Sequence, residues 1–407
     1  MKKVAILFIV LLTSSFLFSQ NTYVPDDKFE QALIDLGYDT TMDDSVVTAN
    51  ISGVTNLDVS EKEISDLTGI EAFTSLTTLE CWRNEITSLD MTANTALKKL
   101  DMPENKLTSL DVSKNAVLTV LFIHFNQLTS LDVSNNTALI TLDSGNNKLT
   151  ALDVSKNTAL IELNVNNNLL TSLDVSNNTA LENLYACCNK LTSLDVSKNT
   201  ALITLDPDQN QLTSLDVSNN TALTRINCSG NQLTSLDVSN NTTLRQLFFD
   251  DNKLTSLDVS SNTALTELYC ANNLLTSLDV SNNTALIELK IFDNELTNLD
   301  VSKTVTLEWL LVSNNKLTSL DVTNNIHITN LGCYDNQLTS LDLSQNTKLK
   351  VLYASENQLT SLNMRNGVKD SLTTFVIHTN PSLTCIEVLD PAWATANWVS
   401  VSGGNIE

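Results

Sequence analysis

The chain has 407 residues and carries 47 acidic against 23 basic side chains, a formal net charge of −24. Nucleic-acid affinity comes largely from Lys and Arg side chains that displace counterions from phosphates, so this acidic surface disfavours nucleic-acid binding. Attachment to anionic membrane surfaces is disfavoured for the same electrostatic reason.

Residues 1–19 have the pattern of a secretory signal peptide. Lys2 and Lys3 form a basic start, the apolar run Val4–Leu12 follows, and a small residue precedes Gln20. The apolar run is too short to cross a bilayer, which takes about 20 residues. No second apolar run of that length follows. We therefore predict a protein without a membrane span that is secreted, periplasmic or displayed on the cell surface.

A short amphipathic helix is predicted after the signal segment. Asp27 is placed to cap its first turn, Glu30 is the acid three residues further on, and Gly37 supplies a stop. Its apolar side chains recur at helical spacing: Phe29, Ala32, Leu33 and Leu36. We assign residues 20–53 to a helical N-terminal cap, because the first coil of a repeat array exposes a core that must be covered.

The loop after this helix resembles a calcium-binding loop in part. Asp39, Thr41 and Asp43 stand at alternate positions, as the oxygen ligands of an EF-hand do. The pattern then fails, because Asp44 stands where that loop needs Gly and Asn50 stands where it needs a bidentate Glu. We favour a solvated acidic loop here and predict no metal site.

A repeat of constant length organises most of the chain. Its period is the step from Asn84 to Asn105, and an Asn recurs at this step without a slip as far as Asn357. A fixed period of this length predicts a solenoid in which each coil contacts only its neighbours. The array covers residues 54–383 and includes an early coil, starting at Ile64, that is longer than the period by a single residue.

Each coil contains one pattern of apolar residues and Asn. In one coil its members are Leu97, Leu100, Met102, Asn105 and Leu107. In this pattern the chain resembles the leucine-rich repeat family. The coil from Ile64 is similar to repeats of internalin-type surface proteins, and the LTSLDVSxNTAL coils are similar to secreted leucine-rich repeat proteins of Bacteroidetes-type bacteria.

The resemblance implies a horseshoe-shaped solenoid with a parallel β-sheet on its concave face. Short turns or 3₁₀ segments are implied on the convex face. It also implies an exported protein that binds a protein partner through the concave sheet.

Strand periodicity indicates which side chains face inward. Leu121 and Ile123 alternate with Phe122 and His124, so the first pair faces the core and the second pair faces outward. The Asn that ends each strand is expected to turn inward and to bond backbone groups that the tight turn would leave buried without partners. The Asn ladder is therefore predicted to be structural.

A second ladder consists of Asp residues. It runs from Asp90 through Asp111 and Asp132, at the same period, to Asp342. Carboxylates about 5 Å apart, the spacing of neighbouring strands, repel one another even at the dielectric constant of water. Hydrogen bonds from Thr108, Ser109 and their equivalents are the favoured compensation, and bound calcium is the alternative.

Seven cysteines occur in the chain. Four share one inward position and are predicted to be core residues without disulfides: Cys81, Cys228, Cys270 and Cys333. The two nearest of them are two coils apart, about 9–10 Å, which is too far for a disulfide. A bridge between the adjacent residues Cys187 and Cys188 is not expected.

Residues 384–407 form the predicted C-terminal cap. A strand is expected over 384–388 and a turn or short helix over 391–398. Trp393 and Trp398 are expected to close the last coil and not to bind a ligand.

The sequence gives little support for catalysis. Its only histidines are His124, His327 and His378, which are far apart in the array. The sequence shows no nucleophile–His–acid set, metal-ligand spacing or phosphate-binding Gly loop. We predict a protein that is not an enzyme and has no cofactor.

The outward strand positions vary from coil to coil, whereas the framework positions scarcely change. Aromatic residues gather at outward positions of six successive coils: Phe248, Tyr269, Phe292, Trp309, Tyr334 and Tyr353. Exposed Trp and Tyr are typical anchors in protein interfaces and also stack on sugars. We predict that these six residues form a site for a protein partner. The alternatives are a polysaccharide ligand, a passive structural protein of the cell envelope, or cross-strand aromatic pairs that only stabilise the sheet.

Overall fold

The structure is a computed structural model that describes residues 20–369 and 371–398. In chain order its helices and strands are β1 Asn21–Tyr23, α1 Asp27–Asp35, β2 Ser45–Val47, α2 Thr48–Ile51, β3 Asn56–Asp58, a 3₁₀ turn Ile70–Ala72, β4 Thr78–Glu80, β5 Lys99–Asp101, β6 Val120–Phe122, β7 Thr141–Asp143, β8 Glu162–Asn164, β9 Asn183–Tyr185, β10 Thr204–Asp206, β11 Arg225–Asn227, β12 Gln246–Phe248, β13 Glu267–Tyr269, β14 Glu288–Lys290, β15 Trp309–Leu311, β16 Asn330–Gly332, β17 Ser340–Asp342, β18 Val351–Tyr353, β19 Ser361–Met364, β20 Thr374–Val376, β21 Ile386–Val388 and α3 Pro391–Asn397. The predicted signal segment, residues 1–19, lies outside the described residues.

A parallel sheet of sixteen short strands runs the length of the described array. Its strands follow chain order from β3 to β16 and continue with β18 and β20. Each of these strands contributes one fully or almost fully buried middle residue, such as Leu100 and Leu121 in adjacent strands. Ile123 is also buried, while Phe122 and His124 lie on the outer side of the sheet. The predicted solenoid and the predicted alternation along the strand are both confirmed.

The Asn ladder bonds the backbone as predicted. The Asn105 side-chain amide donates to the carbonyl oxygens of Cys81 at 2.9 Å and of Met102 at 3.2 Å, and its oxygen accepts from the backbone N–H of Ile86 at 3.1 Å. The preceding residue, Glu104, has a left-handed backbone with φ of 54°, and this conformation recurs in successive coils. The chain therefore turns sharply at each strand end, and the Asn satisfies backbone groups that the turn leaves buried.

A second Asn ladder lies in the turns opposite the sheet, and the sequence analysis did not anticipate its role. Asn115 is fully buried, and its amide donates to the carbonyl oxygens of Met91 at 3.1 Å and Asn94 at 2.9 Å. Equivalent bonds recur in the following coils until Thr304 takes the position and donates to Val301 instead. The signal was present in the sequence, because this Asn recurs at the same period as the first ladder.

Short turns form the side of the solenoid opposite the sheet. In a typical coil the backbone N–H of Asn115 bonds the carbonyl of Val112, and the N–H of Leu118 bonds that of Asn115, both at 3.0 Å. Towards the C-terminus, β17, β19 and β21 also form a small parallel sheet.

The N-terminal helix is capped one residue earlier than the sequence suggested. Asp26, not Asp27, is the N-cap, and its Oδ1 accepts from the backbone N–H of Lys28 at 2.9 Å and of Phe29 at 3.0 Å. The other oxygen of Asp26 accepts from the N–H and hydroxyl of Ser65. Asp26, rather than Asp27, is the N-cap because its side chain also bonds Ser65 in the first coils. The spacing of residues along the chain does not reveal that contact.

At the other end, tryptophans cover the array. Trp398 is only 4% exposed and packs on Phe375 with ring centroids 4.8 Å apart. Trp393 meets Trp398 edge to face at 6.0 Å. The predicted strand and helix of this region are present as β21 and α3, and residues 399–407 of the predicted cap lie outside the described residues.

The cysteines behave in two ways. The four at the inward position are buried and free: Cys81, Cys228, Cys270 and Cys333. Cys187 and Cys188, however, are joined in a disulfide, so the expectation that they stay unbridged is wrong. Cys188 adopts the left-handed turn conformation that recurs at this position of the coils, with φ of 59°. In the described residues, no helix has the length and apolar character that a bilayer crossing requires.

Candidate functional site

The outer side of the sixteen-stranded sheet, called the sheet face below, presents three side chains per coil. In the coil of β15 these are Trp309, Leu311 and Ser313, which alternate with the inward residues Leu310 and Val312, although neighbouring side chains leave Ser313 only 4% exposed. The six predicted aromatic residues all occupy these columns. Trp309 starts a strand, Phe248, Tyr269 and Tyr353 end strands, and Phe292 and Tyr334 lie two residues beyond a strand.

Phe248 and Tyr269 are occupied by contacts within the sheet face. Their rings stack with centroids 4.4 Å apart, and Phe248 is only 8% exposed. The Arg225 guanidinium lies 4.7 Å from the Phe248 ring centre, and the Lys290 ammonium lies 3.8 Å from that of Tyr269. These aromatic and cation–π contacts stabilise four neighbouring coils. For this pair, the contacts fit the cross-strand pairing alternative.

A hydrogen-bond chain runs beside these rings. Gln246 accepts from Arg225 at 2.9 Å and donates to Glu267 at 2.9 Å. The Tyr269 hydroxyl donates to Glu288 at 2.5 Å, and burial together with this bond raises the pKa of Tyr269. The sequence analysis missed this chain, although its polar members recur at the first strand position of adjacent coils.

Trp309, Tyr334 and Tyr353 are the exposed members of the set. Their exposed fractions are 38%, 37% and 41%, whereas Phe292 is half-buried. They lie in three successive coils of the sheet, and sheet strands are about 4.8 Å apart. Together they span about 10 Å of open sheet surface.

A gap in the strand-end column lies between these aromatic residues. Leu311, Gly332 and Tyr353 are aligned in register across β15, β16 and β18. Gly332 has no side chain, and a Cβ there would lie 3.0 Å from Cδ2 of Leu311. The Leu311 side chain therefore lies close to the backbone of Gly332, and Gly332 itself contributes no side chain beside Tyr353.

Acidic residues flank the exposed aromatic residues. Glu308 precedes Trp309, Asp335 follows Tyr334, and Glu356 lies three residues beyond Tyr353, and all three acids are exposed. Three acids therefore border the exposed aromatic surface, and one cation, the Lys290 ammonium, lies 5.7 Å from the ring centre of Trp309. Trp309, Tyr334 and Tyr353, which we call the aromatic triad, form the open part of the predicted site.

The Asp ladder on the other side of the solenoid is stabilised by hydrogen bonds. Oδ1 of Asp111 accepts from the backbone N–H of Ser113 at 2.8 Å. This backbone bond and a further bond from the Ser113 side chain lower the pKa of Asp111. The donors are thus two residues further along the chain, and the expectation that Thr108 and Ser109 supply them is wrong. Neighbouring chain donors already compensate these carboxylates, so the ladder gives no support to bound calcium.

Three other carboxyl groups lie half-buried on the sheet face. Burial, together with the charge of Asp206, raises the pKa of Asp208 to about 6. Burial also raises the pKa of Asp250 to about 6 and shifts that of Asp206 upward. Near neutral pH the ionised forms of these groups therefore lower the free energy of unfolding.

Lowering the pH from 8 to 5 should therefore raise the melting temperature. Asp208 and Asp250 titrate near 6 when folded and have an ordinary pKa of 3.8, so their ionisation destabilises the fold above pH 6 and this cost shrinks as the pH falls towards 4. Below about pH 4 the trend should reverse, because acids with a lowered folded pKa, such as Asp111, lose their stabilising ionised form.

Melting curves of a D208N/D250N variant test this prediction. The variant should melt higher than the parent at pH 8 and depend less on pH between 8 and 5. D111N is the matched control and should leave that part of the profile unchanged. An unaltered pH profile in the double variant would contradict the assignment.

The three histidines contact different neighbours. His124 lies 3.3 Å from the Asp143 carboxylate, His327 lies 2.9 Å from the Lys348 ammonium, and His378 bonds the hydroxyl of the adjacent Thr379. They belong to separate coils, and the structure does not bring them together.

Comparison with known proteins places the chain among leucine-rich repeat proteins. No known protein-family model matches it. The functional domain of internalin J from Listeria monocytogenes is 36% identical, with a TM-score of 0.80, and the match covers 89% of this chain and 82% of that domain. That structure is described as including a cysteine ladder, and here four buried cysteines share one position. In the whole internalin J of strain F2365, 77 residues match at 37% identity, which is 19% of this chain and 8% of the relative's length.

Two further structures share the fold. A leucine-rich repeat protein of Leptospira interrogans is 27% identical, with a TM-score of 0.66, over 77% of this chain and 92% of its own. A plant peptide hormone receptor, solved in complex with RGF2, is 18% identical with a TM-score of 0.66, over 84% of this chain and 63% of its own. The second likeness concerns the fold alone. The chain belongs to the leucine-rich repeat family, which confirms the resemblance seen in its coils.

Proposed function

We propose that this protein is a non-catalytic binding scaffold that recognises a protein partner through its sheet face. The aromatic triad anchors the partner. The observation that carries the proposal is that these three large side chains stay more than a third exposed in successive coils of a rigid sheet. Exposed Trp and Tyr on a preorganised surface bind with little loss of side-chain freedom.

The chemistry around the triad specifies the kind of partner. Trp309, Tyr334 and Tyr353 offer apolar rings, and Glu308, Asp335 and Glu356 border them with negative charge. We infer a protein segment that presents apolar side chains flanked by Lys or Arg. Binding through such a border should weaken as salt concentration rises, because exposed charge pairs are screened. The plant receptor with the same fold, solved in complex with RGF2, is a precedent for ligand binding by this fold.

Export is part of the same proposal. The basic start and apolar run of residues 1–19 support secretion or display at the cell surface. The exported protein should begin at Gln20, and N-terminal sequencing of protein recovered outside the cell checks this point. An unprocessed N-terminus on exported protein would contradict the assignment of a signal peptide.

A binding experiment with a W309A/Y334A/Y353A variant tests the function. Parent and variant are immobilised and exposed to extracellular protein extracts and to a polysaccharide panel. Every captured protein is identified and its affinity is then measured in purified form. Loss of three interface aromatic residues at about 2 kcal/mol each should weaken binding at least about 100-fold.

A matched triple variant controls for the loss of exposed apolar surface. Val117, Ile140 and Leu169 are 46%, 40% and 39% exposed and lie outside the sheet-face columns. Their combined replacement by Ala should leave binding unchanged. Equal binding by parent and triad variant would overturn the role of the triad. Retention of a purified polysaccharide, lost in the triad variant, would replace the protein partner by a carbohydrate.

A further inference from the structure

Three carboxyl groups converge at the N-terminal cap. Glu30 comes from α1, and Asp39 and Asp43 come from the loop between α1 and β2. One carboxylate oxygen from each lies within 4.8 Å of the other two. This cluster is remote from the aromatic triad, because α1 and its loop precede β3 at the first end of the sheet.

Glu30 is the unusual member because it is fully buried. Its Oε1 accepts from the backbone N–H of Asp43 at 2.9 Å and of Ser45 at 3.0 Å, which fastens the loop to the helix. Its Oε2 is buried and has no hydrogen-bond partner. A buried carboxylate oxygen without a donor is costly, because water is removed and nothing replaces it.

A second oxygen in the cluster has the same property. Oδ1 of Asp39 accepts from the backbone N–H of Thr40 at 2.8 Å, whereas its Oδ2 is buried without a partner. Asp43 is exposed, and its two oxygens accept from the hydroxyls of Thr41 and Ser45. Two of the three clustered carboxylates therefore carry a buried oxygen without a partner, and a cation bound among them would satisfy these groups.

The backbone removes one objection drawn from the sequence. Asp44 stands where an EF-hand loop has Gly for a sharp turn, and in the structure Asp44 itself adopts a left-handed φ of 59°. Asp39, Thr41, Asp43 and Ser45 then supply oxygens at alternate positions. Glu30 adds from the helix a carboxylate that loop spacing cannot reveal.

We propose that Glu30, Asp39 and Asp43 bind one calcium ion in the cap. The ligands are all oxygens, which suit a hard cation and not zinc or copper. Calcium is favoured over magnesium because it accepts a variable number and arrangement of oxygen ligands, whereas magnesium demands near-ideal octahedral geometry. The ion joins α1 to the loop that leads into β2, and so stabilises the cap that covers the first coils.

The other group of metal-capable side chains among the described residues is not available in this structure. Cys187, Cys188 and Asp208 lie close together, but the two sulfurs are joined in a disulfide. The sheet-face acids Asp208 and Asp250 belong to different coils.

Calcium titration of the purified, EDTA-treated protein tests the proposal. Calorimetry at pH 7.5 should give one calcium per chain with a Kd of about 1 mM or tighter, the range of extracellular calcium modules. The melting temperature should rise with calcium, and amide exchange should slow between residues 26 and 50. Magnesium at the same concentration should have a smaller effect.

Two single variants locate the ion. E30Q retains an oxygen that can accept the two backbone bonds but loses the charge, and should weaken calcium binding at least about tenfold. D43N changes an exposed ligand and should do the same with little effect on folding. D111N is the control, because it removes a carboxylate from the Asp ladder and should leave calcium binding unchanged.

Three outcomes would overturn the site. The first is the absence of any calcium heat or melting shift in the parent, which would mean that the cluster binds no calcium. The second is unchanged calcium binding in both E30Q and D43N. The third is loss of binding in D111N with retention in the cap variants, which would move the ion to the Asp ladder.

Discussion

Replacing Asn136 by Ala should lower the local free energy of unfolding by about 1–3 kcal/mol, whereas replacing Asn135 should change it by less than about 0.5 kcal/mol. Asn136 is fully buried, and its amide donates to the carbonyl oxygens of Val112 at 2.9 Å and Asn115 at 3.0 Å. Alanine would remove both of these bonds, each worth about 0.5–1.5 kcal/mol, and would leave a cavity, while the carbonyls of Val112 and Asn115 keep their bonds from the backbone N–H groups of Asn115 and Leu118. Asn135 is the adjacent residue and is exposed.

Hydrogen exchange is the suitable measurement for this pair, because a repeat array opens coil by coil. Peptides spanning the coils of Val112 and Asn136 should exchange faster in N136A and at the parental rate in N135A. Urea unfolding should show an earlier transition only in N136A. Similar exchange rates in the two variants would mean that the second Asn ladder contributes little to stability.

Replacing Phe249 by Ala should lower the free energy of unfolding by about 3–5 kcal/mol, the range expected for a fully buried aromatic side chain. Phe249 is fully buried at the inward position that holds Cys228 and Cys270 in the two flanking coils. The small neighbours leave room for the ring, so its removal would create a cavity that rigid strands cannot close. Leu at this position should cost less, because it fills part of the same volume.

Phe125 provides the matched control for this substitution. It is 52% exposed and lies at the left-handed turn of its coil, so F125A removes the same side chain from a surface position. Its replacement should change the urea midpoint little, whereas F249A should lower it and speed exchange in the coils of β11, β12 and β13. Equal effects of F249A and F125A would contradict the predicted inward packing.

Much of the fold could be predicted because the period is visible in every coil. Leu100 and Leu121 are one period apart, and that spacing brings them to adjacent strands in register. The Asn105 ladder followed from the need to satisfy a tight buried turn. The roles of Asp26 as N-cap and of Ser113 as donor to Asp111 were not predicted. Several neighbouring residues could form these bonds, and the backbone direction over one or two residues decides which of them does.

The sheet-face aromatic residues show where prediction from the sequence ended. Strand alternation placed all six on one side of the sheet, but it did not distinguish Phe248, which is 8% exposed, from Tyr353, which is 41% exposed. That difference depends on side chains in adjacent coils. Arg225 lies over Phe248, and the ring of Tyr269 stacks on it, whereas Gly332, in register with Tyr353, has no side chain that could cover the Tyr353 ring.

Spacing along the chain was enough to define the solenoid, its inward residues and its first Asn ladder, because each of these features depends on a pattern that repeats. Which aromatic residues stay open, and that Glu30 joins Asp39 and Asp43 at the cap, emerged from the folded chain alone. Glu30 and Asp43 are distant in sequence and join only when α1 packs beside its loop. Contacts of this kind depend on direction and distance in space, and a repeating pattern carries no record of either.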